Sequence, residues 1–188
     1  MILVAAVAAG YAAALIQAKL NGRRLQPIEL NYSWLVLLAV IPQILVFQIP
    51  VVGRMAPEAF IPYILVLSQA LLVEFAVLNI RKPGVAVMGT GLLANFLVML
   101  MNGGWMPIGP ETVRRILPSL PADFSLVDRR LGLSKDWIMP TSAMRLPWLT
   151  DRFTLPDWVP YNAAFSLGDI LISIGAFLLL WSLSNSKN

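Results

Sequence analysis

The run LPWLTDRFTLPDWVPYNAAFSLGDILISIGAFLLLWSL, residues 146–183, decides how the rest of the chain is read. From Ala163 to Leu183 it is mostly apolar, and at 1.5 Å per residue that length covers a bilayer core of roughly 30 Å. Asp169 sits inside the first two turns of this segment and Asp151 lies just before it. Pro156 and Pro160 fix the approach between the two carboxylates. The pattern is that of a membrane helix entered from a structured polar segment.

Four further apolar segments lie toward the N-terminus. Residues 1–18 are apolar to the start, with no basic region before them, so the reading is a first transmembrane helix and not a cleaved signal peptide. Residues 32–49 carry Trp34 at the start and Pro42 inside, where proline frees a carbonyl and kinks a helix. Residues 60–80 contain Gln69 and Glu74, and residues 85–101 contain Gly89, Gly91 and Asn95. The expected fold is an all-α membrane protein. It is one polytopic domain over 1–188, a bundle of five transmembrane helices at about 1–18, 32–49, 60–80, 85–101 and 163–183, with an ordered extracytoplasmic cap over 102–162.

Bulk composition agrees with this reading. Of 188 residues, 58% are hydrophobic and only 13% charged, and the mean hydropathy is +0.74. A typical soluble domain is about 25% charged. There is no cysteine and no histidine. That excludes disulfides, thiolate metal sites, iron–sulfur clusters and catalysis by thiol or imidazole, and no cofactor or metal is assigned. The formal net charge is +4, but the basic residues sit at segment ends, where they serve topology and not nucleic acid.

The segment 102–162 holds four of the six tryptophans, seven basic and six acidic side chains, and eight prolines. Proline at that frequency excludes a long helix, and tryptophan prefers the membrane interface. A short helix is expected from Gly109-Pro110 through Leu117, and another over 123–133. For orientation, Lys19, Arg23, Arg24, Arg81, Lys82 and Lys187 gather on one side, against Arg54 alone in the short second loop. The positive-inside rule then puts the N-terminus and the cap outside and the C-terminus in the cytoplasm.

Chemistry is sought where polar groups enter hydrocarbon. Glu74 lies about 9 Å from the inner end of its span, with Asn95 and Gln43 at comparable depth. These three form either a polar clamp between helices or part of a proton or cation relay. Asp169 shares a helix face with Ser173 and Ala176, beside a small-residue stripe of Ala164, Gly168, Gly175 and Ser182. Asp151 and Asp169 near one surface can share a proton as an acid/base pair. Alternatively, Asp169 caps its helix or pairs with Arg152, Arg145 or Lys135. In the first span, Ala5, Ala9 and Ala13 form one small-residue stripe and Ala6, Gly10 and Ala14 another. Asn102, Gly103 and Gly104 stop the fourth span, or form a loop over Asp169.

Four landmarks carry a likeness: Asn102-Gly103-Gly104-Trp105-Met106-Pro107, Ser134-Lys135-Asp136, Leu149-Thr150-Asp151-Arg152-Phe153-Thr154-Leu155-Pro156, and Phe165-Ser166-Leu167-Gly168-Asp169-Ile170-Leu171-Ile172. In that order they resemble an uncharacterised family of small bacterial integral membrane proteins, known as a domain of unknown function. The resemblance implies an architecture and a bacterial inner membrane, not an activity. A second likeness covers the last forty residues. Leu149-Thr150-Asp151-Arg152 followed by Phe165-Ser166-Leu167-Gly168-Asp169 and Gly175 is similar to the two aspartate motifs of lipoprotein signal peptidases, which implies water activation by Asp151 and Asp169. It departs from them in lacking a Gly-Asn pair before Asp151 and in carrying Ser166 and Gly168 where they have Asn and Ala.

The expected function is that of a non-enzymatic accessory or scaffold subunit of a larger bacterial membrane complex, a respiratory or photosynthetic assembly being one host. Its partners are then membrane lipid and other membrane-protein subunits. The alternative is an intramembrane aspartate-dependent hydrolase using Asp151 and Asp169. A transporter built on Glu74 ranks third.

Overall fold

The computed structural model describes residues 2–121, 125–156 and 158–184. The chain is mainly helical. Among the described residues three helices are long and apolar enough to cross a membrane: α1 (Ile2–Leu20), α4 (Ile61–Leu78, lengthened by a 3₁₀ turn from Glu58) and α7 (Leu167–Trp181, extended by a 3₁₀ turn to Ser184). Two shorter apolar helices accompany them, α2 (Trp34–Gln48) and α5 (Val85–Met101). Pro42 lies within α2, which continues through it. The second loop folds as a short helix, α3 (Pro50–Met55), instead of a simple turn.

Glycines line the contact between α5 and α7. Gly84 and Gly91 on the α5 side face Gly175 and Gly168 on α7. A Cβ on any of the four would collide with backbone of the other helix. The seven-residue spacing on both sides keeps the pairs on one face along the crossing. On α1, the stripe Ala6, Gly10, Ala14 is the one turned inward. Gly10 and Ala14 are buried, and Gly10 lies against the Phe177 backbone of α7. The Ala5, Ala9, Ala13 stripe faces outward or is only half-buried. So α7 sits between α1 and α5, and α4 packs on α5 and α2.

The polar segment is not purely helical, which corrects the all-α expectation. The helix starting at Pro110 is present, as α6 (Pro110–Ile116), with proline at its first position. Around it, among the described residues, run five short strands: β1 (Met106–Ile108), β2 (Arg129–Arg130), β3 (Asp136–Ile138), β4 (Phe153–Thr154) and β5 (Ala164–Phe165). β1 pairs in parallel with β3, β3 pairs antiparallel with β2, and β4 pairs antiparallel with β5. Of the helix expected over 123–133, residues 125–133 are turn and strand, and residues 123 and 124 lie outside the described residues, as does Lys187. Proline forbids interior helix hydrogen bonds but is tolerated where a strand leaves one side unpaired. Short ladders are therefore how this segment satisfies its backbone. The final helix also begins later than expected, at Leu167, because Ala164 and Phe165 are used in β5 and Ser166 becomes the cap.

Candidate functional site

The two aspartates singled out in the sequence do come to one place, where the polar segment meets the ends of α5 and α7. Backbone pairing positions Asp151: its N–H donates to the Pro107 carbonyl at 3.1 Å, and it bridges Ile108 of β1. Lys135 lies on the other side of β1, its carbonyl accepting from the Met106 N–H at 3.2 Å. Lys135 Nζ donates to Asp151 Oδ2 at 2.7 Å and lies 3.5 Å from Asp136 Oδ1. Asp136 is in turn held by Ser134, whose hydroxyl donates to its carboxylate at 3.1 Å and accepts from its N–H at 3.0 Å.

Asp169 is fixed by α7 itself. Ser166 and Asp169 form a capping box: the Ser166 hydroxyl accepts from the Asp169 N–H at 3.0 Å, and Asp169 Oδ2 accepts from the Ser166 N–H at 3.1 Å. This arrangement satisfies two otherwise orphaned helix donors. The remaining oxygen, Oδ1, accepts from Asn95 Nδ2 at 2.8 Å, and Ser166 Oγ donates back to Asn95 Oδ1 at 2.9 Å. Asn95 is buried at a turn where Gly91 lets α7 come close. The three residues form a closed ring across the α5–α7 contact.

Charge in this cluster is unbalanced. One ammonium, a third exposed, faces Asp136, Asp151 and Asp169. Burial opposes the charge on Lys135, but the three carboxylates, Asp151 foremost, hold its pKa above the ordinary range. Asp151 is only 2% exposed. Burial, reinforced by Asp136 and Asp169 and opposed by Lys135, raises its pKa well above the usual carboxylate range. Its Oδ1 is buried and has no hydrogen-bond partner. An excess of buried negative charge favours protonation, most of all at the most buried carboxylate. Beside the cluster lies a cavity of about 260 Å3, with Lys135 and Asp169 at its polar end and Ile2, Leu3, Phe165 and Ile172 as apolar wall. Among the described residues no His, Cys, Asp or Glu set is arranged to hold a metal ion.

Asn102, Gly103 and Gly104 end α5, with Gly103 and Gly104 at positive φ. They do not close over Asp169. The Asn102 amide donates to the Val98 and Arg145 carbonyls at 2.7 and 2.9 Å and accepts from the Arg145 N–H at 2.9 Å, tying residue 145 to the end of α5. Gly104 packs on Pro62 at the start of α4.

The third expected group divides. Asn95 is buried, but its partners are Asp169 and Ser166, not Glu74. Gln43 is half-buried on α2. Glu74 is exposed, which corrects the expectation of a buried clamp. The reason is helical phase: Glu74 shares a face with Tyr63, Leu67 and Val77, all of them outward. The residue that sequence reasoning undervalued is Lys135. One lysine among seven basic residues of a proline-rich segment carries no periodic mark, and only the β1–β3 pairing brings it to Asp151.

A family model described as a family of unknown function, DUF5317, matches residues 27–181. An uncharacterized protein of Thermotoga maritima is 29% identical over 170 residues, covering 88% of this chain and 84% of that protein. No solved structure matches the chain.

Proposed function

The chain belongs to the DUF5317 family of unknown function, and from that premise we propose that it is a non-enzymatic accessory or scaffold subunit of a larger bacterial membrane complex. In this reading all five apolar helices span the inner membrane. The segment 102–162 is an outer cap, the N-terminus is outside and the C-terminus is cytoplasmic.

The observation that carries the proposal is Glu74. It stands on an outward face of α4 otherwise made of Tyr63, Leu67 and Val77, with no hydrogen bond or ion pair to another described residue. A carboxylate facing hydrocarbon costs up to about 2.5–3.5 kcal/mol at a helix centre, so such groups normally meet protein. A neighbouring subunit presenting a basic or hydrogen-bonding side chain removes that cost. The test is gentle detergent extraction of the tagged full chain. A stoichiometric membrane partner, lost on Glu74→Leu, is expected; a monodisperse lone monomer in membranes from its own host overturns the reading.

The aspartate hydrolase is the weaker reading. Both Asp169 oxygens accept bonds from the fold, and Lys135 occupies one oxygen of Asp151 while the other is sealed from solvent. That leaves only Asp169, half-buried at the cavity of about 260 Å3, to meet a water, and both of its oxygens are already engaged by the fold. It regains support if Asp151→Asn and Asp169→Asn each abolish a hydrolytic activity while leaving the protein folded and abundant.

A further inference from the structure

We propose that the polar cavity between α6 and the strand region that follows Asp151 binds a phosphate group at the membrane surface. The cavity, about 200 Å3, is lined by Glu111, Thr112, Arg115, Thr141, Thr150 and Arg152. Its lining shares no residue with the Lys135 cluster, although Thr150 and Arg152 flank Asp151 in the chain. Arg115 stands in the last turn of α6 and Arg152 directly after Asp151. Among the described residues no carboxylate lies within ion-pair distance of either guanidinium, and the Arg152 guanidinium lies over the Phe153 ring, at 5.9 Å. With Glu111 counted, the lining carries a net charge of +1. Thr150 donates its hydroxyl to the Pro147 carbonyl at 2.8 Å, which leaves Thr112 and Thr141 as neutral donors. Two forked cations and two hydroxyls on one small polar cavity match the donor needs of a tetrahedral oxyanion.

Position favours a phosphate borne by lipid, though the same chemistry takes free phosphate. The cavity wall includes Pro147, and its chain neighbour Trp148 is 56% exposed. Asn102 ties Arg145, two residues earlier, to the end of apolar helix α5. Exposed tryptophan beside the end of an apolar helix marks headgroup level.

The experiment uses the full chain in two settings. In nanodiscs of phosphatidylcholine with added phosphatidylglycerol, native mass spectrometry reads which lipid stays bound. In detergent, inorganic phosphate is titrated and its 31P line width followed. The wild type is expected to retain phosphatidylglycerol preferentially. Arg115→Gln with Arg152→Gln should weaken that retention about tenfold or more, the loss of charge-assisted hydrogen bonds, while Glu111→Gln tightens it. Phosphate broadening that depends on Arg115 and Arg152, without lipid retention, supports the site with free phosphate as its source. Binding of neither probe, or binding unchanged in the double variant, overturns the proposal. Should the double variant not fold, the Glu111→Gln gain and the two single variants decide it.

Discussion

Asn95 on α5 donates its amide to the carboxylate of Asp169 in the first turn of α7 at 2.8 Å, and in doing so closes the glycine-lined crossing of α5 and α7. Removing the amide leaves a capped carboxylate short of one donor at a junction already sealed by Ser166. Asn95→Ala should therefore lower stability by about 1–3 kcal/mol, the cost of an unsatisfied buried acceptor. For a chain of this size that corresponds to a fall in melting temperature of roughly 2–4 °C per kcal/mol. Asp169→Asn should do the same through the lost cap. A melting temperature unchanged in both variants would remove the ring from the account of stability.

The glycine contact makes a sharper demand. A methyl group at Gly91 meets the Gly168 backbone, and one at Gly168 meets Asn95 and Gly91. Gly91→Ala and Gly168→Ala should each cost about 1–3 kcal/mol as overpacking. Ala9→Leu, on the outward stripe of α1, should cost little. Thermal unfolding in one detergent ranks the three, and an Ala9→Leu as damaging as Gly168→Ala would show that α1 has been assigned the wrong face.

The charged cluster predicts a pH dependence with a definite sign. The folded pKa of Asp151 is raised, so folded protein holds a proton that the unfolded chain releases near pH 3.9. Its contribution is complete below that pH and declines as pH rises through the folded value. Lys135 is also raised; its contribution is complete below the unfolded value near 10.4 and is lost only as pH rises beyond it. Above the unfolded value, acidification favours the folded state through Asp151. Melting temperature should rise on acidification toward pH 4, and Asp151→Asn should flatten that slope. Lys135→Met should steepen it, because Asp151 loses the cation opposing its proton. Lys135→Met should cost less than breaking a fully buried ion pair, since Lys135 is a third exposed and Asp151 can take up a proton in its place.

Glu74→Leu separates a surface role from an internal one. Because Glu74 is exposed and shares its face with apolar side chains, the substitution should leave the isolated protein as stable as the wild type or more so. The expected loss is in co-extracted partner. A drop of several degrees in the melting temperature of the isolated chain would mean that Glu74 supports the fold internally.

Much of this was legible in the residues. Apolar runs separated by Lys19, Arg23, Arg24, Arg81 and Lys82 mark the helices, because hydrophobic length is a property of a segment alone. The Gly168 and Gly175 stripe was legible too, since side-chain size and helical period are local. Its counterpart, Gly84 and Gly91, was not, because a close approach belongs to two segments at once. Likewise Asp169 could be read as a capping residue from its place at the start of an apolar run, while its bond to Asn95, 74 residues away, could not.

The sequence alone therefore determined where the apolar helices lie, that the segment between the last two is broken by proline, and that no thiol or imidazole chemistry is available. Only the tertiary structure decided that this segment folds through short ladders, that Lys135 meets Asp151 across β1, and that Glu74 turns outward while Asn95 turns in. Burial preferences follow from each residue and its helical phase, but the partner that satisfies a polar group is chosen by which backbones can approach, and that is fixed by contacts distant in the chain.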